Sequence, residues 1–402
     1  MPTEKPESAD PASTFAEATD RVTAGELRAR GSLKWTKPPP EVIGAWIAEM
    51  DFGSAPAVTA ALRESASRAD FGYLTPTAAG RLAEACARWQ EVHYGWHVHP
   101  ERIKPLPDVL KALEASIQVF SRPGSPVILP TPAYMPFVTV PPRLGREVIQ
   151  VPMVREGPAG RYALDIDGID AAFKAGGHLL VLINPSNPVG RVYTRSELTA
   201  VAEVVDRNGG RVFADEIHAP LVYPGAAHVP YASVSDAAAA HAITGTAASK
   251  GWNLPGLKCA QLILSSAADA AVWEEAGFLY EHGASTVGVA ASIAAYADGG
   301  GWLADVVDYL DGSRRLLAEL LAERLPSVGY APPEGTYLSW LDCRSLGLDV
   351  SPAEFFLDKA GVLLTDGAAC GDAGRGFVRL NFATPRPILA EMVERMAVAA
   401  IR

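Results

Sequence analysis

From residue 57 onward the hydrophobic and polar positions follow two alternating patterns: amphipathic stretches with a helical repeat, and short apolar runs. The spacing predicts helices over 57–66, 78–93 and 197–208, the first led by Ser54 and by Pro56, which suits the opening turn of a helix. Apolar runs at 126–130 (PVILP), 178–183 (HLLVLI), 211–215 (RVFAD), 241–245 (HAITG) and 260–265 (AQLILS) read as strands. Strands separated by helices imply an α/β fold whose mostly parallel sheet is covered by helices. Past residue 301 the pattern changes to one long amphipathic helix over 302–325, then to strand-like TYLSWLDC and GFVRLNFA. That change predicts a smaller α+β domain over 299–402 beside a large domain over 57–298, with residues 25–56 joining the smaller one. No internal repeat is visible.

Composition narrows the class. A chain of 402 residues that is 49% hydrophobic and 20% charged can bury a large core. Its net charge of -11 argues against nucleic acid as a partner, because neutralising phosphates needs a basic face. Cys86, Cys259, Cys343 and Cys370 are widely spaced and lack the pairing of a disulfide framework or a metal site, so reduced thiols and no metal are expected. No window approaches 18 uninterrupted apolar residues, which argues against a membrane span. Residues 1–24 begin acidic and Pro/Ser-rich, and a flexible or extended leader on a cytoplasmic protein is the expectation.

In sheets of this kind ligands bind beyond the carboxyl ends of the strands, so the residues just after each apolar run matter most. INPSNPVG (183–190) leaves one run through two Asn-Pro pairs; it is either a plain turn or a rigid one that presents the Asn187 amide. FADEIH (213–218) puts Asp215 at the edge of a buried run, where an acid either caps the next segment or needs a cationic partner. The chain has nine lysines, and Lys250 differs from most in following an apolar run through Thr246 and Ser249, small hydroxyls able to bind phosphate. An amine, a carboxylate and an amide at three neighbouring strand ends match the needs of pyridoxal 5'-phosphate: a lysine for its aldehyde, an acid for its ring nitrogen, and a phosphate cradle. The same lysine, once freed by substrate, can remove an α-proton.

The motifs NPSNPVG, DEIH, TAASK and GFVRLNFA, in this order, resemble the class I/II aminotransferase superfamily of fold-type I pyridoxal-phosphate enzymes. WIAEMDF (46–52), FGYLTP (71–76), DEIHAPLVYPGAAHVPYASV (215–234), SKGWNLPGLKCA (249–260) and EGTYLSWLD (334–342) are similar more narrowly to the MalY/PatB-type cystathionine β-lyase branch, over about residue 25 to the C-terminus. The resemblance implies the aspartate-aminotransferase-like fold, with a seven-stranded sheet in the large domain. It implies that Lys250 holds the cofactor and is the acid-base group, and that Asp215 pairs with the ring nitrogen. By the same resemblance Asn187 and His218 would lie near the phenolic oxygen and Tyr134 would stack on the ring. The amides of Val109 and Leu110, with Ser249 and Lys258, would hold the phosphate. Arg379, assisted by Asn187, clamps the substrate carboxylate, and Tyr73 reaches the site of a neighbouring subunit, making a homodimer with shared sites part of the expectation. Asp108, Ala247, Asp366 and Cys370 depart from the family pattern and bear on the phosphate turn and the shape of the substrate pocket.

Other residues stay open between site and scaffold. Trp46, Trp252, Tyr337 and Tyr223 could line the pocket or fill core, while Ser285 and Thr286 could meet the partner subunit. His93, His97 and His99 read as surface. The activity implied is α,β-elimination on an S-substituted L-cysteine, giving thiol, pyruvate and ammonia. The alternatives are an aminotransferase, a relative that tailors a sulfur-containing natural product by elimination or oxidative deamination, or a binding protein that keeps the fold.

Overall fold

The computed structural model describes residues 14–156 and 160–401. Its main sheet has seven strands, β1 (Ile103–Leu106), β2 (Val127–Thr131), β3 (Val148–Pro152), β4 (Leu179–Ile183), β5 (Arg211–Asp215), β6 (Ala242–Thr246) and β7 (Ala260–Leu264), in the order β1-β7-β6-β5-β4-β2-β3. Strands β3, β2, β4, β5 and β6 are mutually parallel, and β7 runs against both its neighbours. Each central strand is divided between two cores by its period-two pleat: Leu180 and Leu182 enter one, Leu179, Val181 and Ile183 the other. That two-sided burial is why these strands read as continuous apolar runs.

The five runs singled out in the sequence are β2, β4, β5, β6 and β7, each displaced by at most one residue. The sequence reading missed β1 and β3, the two edges of the sheet. Pro105 inside β1 and Gln150 inside β3 break the apolar run, as an edge strand tolerates. The helices lie at Pro56–Ser67, Pro76–Tyr94, Arg195–Arg207 and Gly300–Arg324, close to the predicted spans. Ala55, not Ser54, is the cap of the first; the Ser54 hydroxyl donates instead to the carbonyl of Trp252.

A second, antiparallel sheet follows, with strands Gly329–Tyr330, Leu338–Asp342, Phe377–Asn381 and Thr365–Asp366 in that spatial order. The N-terminal segment joins the C-terminal region through a separate two-stranded sheet, in which Ile43–Gly44 pairs in parallel with Val362–Leu363. The first 13 residues of the expected leader lie outside the described residues, and the rest of it is corrected: Phe15–Asp20 is a helix. Thr14 and Glu17 close a capping box on it, and Thr23 and Glu26 do the same for Ala24–Ala29. Phe15 packs edge-on against Phe52 and Tyr309, with ring centres 6.0 Å away in each case. The Thr-x-x-Glu spacing was the signal for both helices.

Candidate active site

The register of the parallel strands sets Asp215 opposite both Ile183 and Gly245. The segments that begin at Asn184 and Ala247 therefore leave the sheet on either side of Asp215. Between them opens a cavity of about 190 Å³. Its wall includes Val109, Leu110, Tyr134, Asn187, Asp215, His218, Ser249, Lys250 and Lys258, which are all the anticipated cofactor contacts except Tyr73.

Lys250 sits in a one-turn helix, Ala248–Gly251, directly after β6. Its Nζ donates to the carbonyl of Ala48 at 2.7 Å. Burial, with the Arg379 charge behind it, lowers its pKa to about 8 against the opposing pull of Asp215 and Glu49. Asp215 is buried, and one oxygen accepts from the Ile217 amide at 3.1 Å. Burial outweighs that bond and the nearby Lys250 charge and raises its carboxyl to about 7. Among the described residues no cation stands within ion-pair distance of it. His218 is buried with Nδ1 unpartnered, and burial, then the charges of Lys250 and Arg379, hold the imidazole neutral, well below its ordinary range.

Arg379 lies just behind the cavity wall. Its Nη1 donates to Asn187 Oδ1 at 3.1 Å, and its Nη2 to the Trp46 carbonyl at 2.8 Å and Thr365 Oγ1 at 3.2 Å. Nε is buried without a partner. At the opposite end Asp108 caps the helix Val109–Ala115 through the Lys111 amide at 2.9 Å, and its second oxygen takes Lys258 Nζ at 3.0 Å. The acid that departs from the family turn is thus a helix cap tied to a lysine. Ala247 occupies the cap position before Lys250 and makes no side-chain bond there. Asp366 turns to the Ala368 amide, Cys370 is buried, and neither lines the cavity.

Tyr73 is 87% exposed and lies in a separate cleft with Pro105 and Phe278, away from its own chain's cavity. Thr286 anchors that stretch through the carbonyl of Gly72, and Ser285 caps the helix Thr286–Asp298. Trp252 is core, packed on Trp89 and Tyr296; Tyr223 is also core, bonded to the Thr336 carbonyl. Tyr337 is buried and donates to the Ala48 carbonyl at 3.0 Å, and Trp46 contributes its carbonyl to Arg379. His93, His97 and His99 are exposed. Sequence reasoning missed the backbone carbonyls of Trp46 and Ala48, because a carbonyl leaves no mark in a sequence. It also missed Asn253, whose side chain exchanges two bonds with the backbone of Met50, each 2.9 Å.

A model of the family of class I and II aminotransferases matches residues 42–396. The chain is 38% identical to the cystathionine beta-lyase of Corynebacterium glutamicum over 92% of its own length and 97% of that protein's. It is 33% identical to the cystathionine beta-lyase PatB of Bacillus subtilis, covering 92% and 96%. A Corynebacterium diphtheriae crystal structure, provisionally described as a PLP-dependent beta-cystathionase, superposes with a TM-score of 0.89 at 40% identity, covering 95% of this chain and 98% of that one.

Proposed function

Because the chain belongs to the class I and II aminotransferase family, we propose that it is a pyridoxal-5'-phosphate-dependent carbon–sulfur β-lyase that eliminates the thiol from an S-substituted L-cysteine such as cystathionine. The observation that carries the reading is the under-compensated pair at the two strand ends, Lys250 and Asp215. A buried carboxylate with one backbone donor suits a cofactor whose ring nitrogen is positively charged, and an unpartnered His218 Nδ1 suits one with a further polar group. The relatives named as cystathionine β-lyases choose the reaction within the family.

When bound, the cofactor draws off the electrons released at the substrate α-carbon. Lys250 would hold it, and Asp215 would keep its ring nitrogen protonated. Asn187 and His218 would face its phenolic oxygen and Tyr134 its ring, while Val109, Leu110, Ser249 and Lys258 would hold its phosphate. Arg379 would bind the substrate carboxylate as a fork, oriented by Asn187 and Thr365. An amine whose pKa is near 8 exchanges protons readily near neutral pH, so Lys250 can take the α-proton as the thiolate departs. Tyr73, far from its own cavity, would complete the site of a second copy in a cytoplasmic homodimer. The division into a large domain over 57–298 and a small one over 299–402 belongs to the same reading.

The test is incubation of the holoenzyme with an S-alkyl cysteine, with pyruvate, free thiol and keto acid measured. Equal amounts of thiol and pyruvate without an amino acceptor are expected. Turnover that requires a keto-acid acceptor would establish the aminotransferase instead.

A further inference from the structure

The segment 46–51, Trp-Ile-Ala-Glu-Met-Asp, borders the site, where Ala48 lines the cavity, as a strap whose carbonyls face alternate ways. Trp46 and Ala48 turn theirs toward the chemistry: the first accepts from Arg379 Nη2 at 2.8 Å, the second from Lys250 Nζ at 2.7 Å and from the Tyr337 hydroxyl at 3.0 Å. Ile47 and Glu49 turn theirs to a single side chain, the buried Asn381, whose Nδ2 donates to them at 2.6 and 2.7 Å. Asn381 is itself braced, because its Oδ1 accepts from the Ala383 amide at 2.7 Å.

The far end of the strap is pinned by an ion pair in the interior. Lys34 Nζ meets Asp51 Oδ2 at 2.7 Å with side chains 0% and 3% exposed. Lys34 also donates to the Ala383 carbonyl at 3.1 Å, and Trp35 Nε1 donates to Asp51 Oδ1 at 2.7 Å. Desolvating two charges makes such a pair a weak source of net stability, and fixing a unique arrangement is its best-attested use. Here the arrangement fixed is that of the strap.

We infer that Asn381 and the Lys34–Asp51 pair are positioning residues: they hold the strap so that the Ala48 carbonyl docks the Lys250 amine while the Trp46 carbonyl docks Arg379. The two carbonyls lie two residues apart on one face, so the strap sets the separation between proton carrier and carboxylate clamp. The Ala48 carbonyl also gives the amine a place to stand when substrate has displaced it. This inference rests on the roles proposed above for Lys250 and Arg379.

The primary test is Asn381→Asp in the holoenzyme. The variant keeps the oxygen that braces Ala383 and loses both donors to the strap. A misplacement of about 1 Å costs roughly a hundredfold in rate, so kcat is expected to fall about tenfold to a hundredfold. KM for an S-alkyl cysteine should move much less, since Arg379 retains Asn187 and Thr365. The pH at which the bound cofactor's visible absorption changes should also move, because that spectrum reports on Lys250. If Asn381→Asp melts early, the decision passes to Lys34→Met/Asp51→Asn, which replaces the pair with neutral groups and keeps the Trp35 acceptor. A folded variant with unchanged kcat and unchanged spectral pH dependence overturns the inference, as does a rise in KM alone. The spectrum is read without turnover, so a wild-type protein that binds the cofactor but does not lyse a C–S bond would overturn the proposed reaction and leave the positioning role standing on the spectral shift.

Discussion

Two buried lysines in this chain have opposite surroundings. Lys34 has a carboxylate at 2.7 Å, a second acceptor at 3.1 Å, and a partner acid that takes a further bond from Trp35. Lys250 has one neutral carbonyl at 2.7 Å, and among the described residues no carboxylate within ion-pair distance. The acids differ in the same way: Asp51 has donors on both oxygens, and Asp215 has a single backbone amide. A charge whose desolvation is fully answered holds structure. One answered in part is left with a displaced pKa, near 8 for Lys250 and near 7 for Asp215, and is free to bind or exchange protons.

The sharpest way to break this contrast is to remove each amine. Lys250→Ala should lower pyruvate release by about 10⁴-fold or more, since it deletes both the anchor and the acid-base group. It should not lower the thermal unfolding midpoint of the cofactor-free protein, because the buried charge it removes costs stability at neutral pH. Lys34→Ala leaves Asp51 buried and unpaired, and should cost about 3–5 kcal/mol of stability in denaturant unfolding. Should Lys250→Ala prove the less stable of the two, the distinction between the pairs fails.

A gentler test uses pH on the cofactor-free protein. Asp215 has a folded pKa near 7 against 3.8 for the free side chain, so between those values the folded state binds a proton that the unfolded state has lost. Stability should therefore fall as pH rises from about 4 to 7, by at most about 1.4 kcal/mol per unit from this group. Lys250 has the opposite sign: its folded pKa is depressed from 10.5 to about 8, so its destabilising effect is full below 8 and is relieved as pH rises toward 10.5. Asp215→Asn should flatten the first slope and, by removing a charge that opposes the depression of Lys250, start the second at a lower pH. Urea midpoints measured across pH check both.

The sequence was most readable where one physical requirement acts on consecutive residues. Central strands buried on both faces appear as apolar runs, and the ends of three of them carry Asn187, Asp215 and Lys250. Edge strands such as Ile103–Leu106 escape, because an edge tolerates a proline. The strap escaped for another reason. WIAEMDF marked the family, but its contribution to the site is made by the Trp46 and Ala48 carbonyls, and any residue would have supplied those. The Lys34–Asp51 pair was hidden because a surface lysine and a buried one look alike until the chain is folded. The two Thr-x-x-Glu caps near the N-terminus were legible but were outweighed by the acidic, proline-rich composition before them.

The smallest expected effect concerns a third lysine–aspartate pair, Lys258 with Asp108, whose side chains are 58% and 39% exposed. Water screens both charges, so the pair itself should be worth at most about 1 kcal/mol. Asp108→Asn keeps a competent cap for Val109–Ala115, because an asparagine oxygen can accept from the Lys111 amide as the aspartate does. The substitution does change charge: it frees Lys258 and removes a negative group from the end of the cavity assigned to the phosphate. Melting temperature should move little, while affinity for pyridoxal 5'-phosphate, measured by fluorescence titration of the cofactor-free protein, should rise several-fold. Weaker binding would mean that Asp108 works by aiming Lys258 at the phosphate. The exposed pair would then resemble Lys34–Asp51 in function, a positioning contact maintained at the surface.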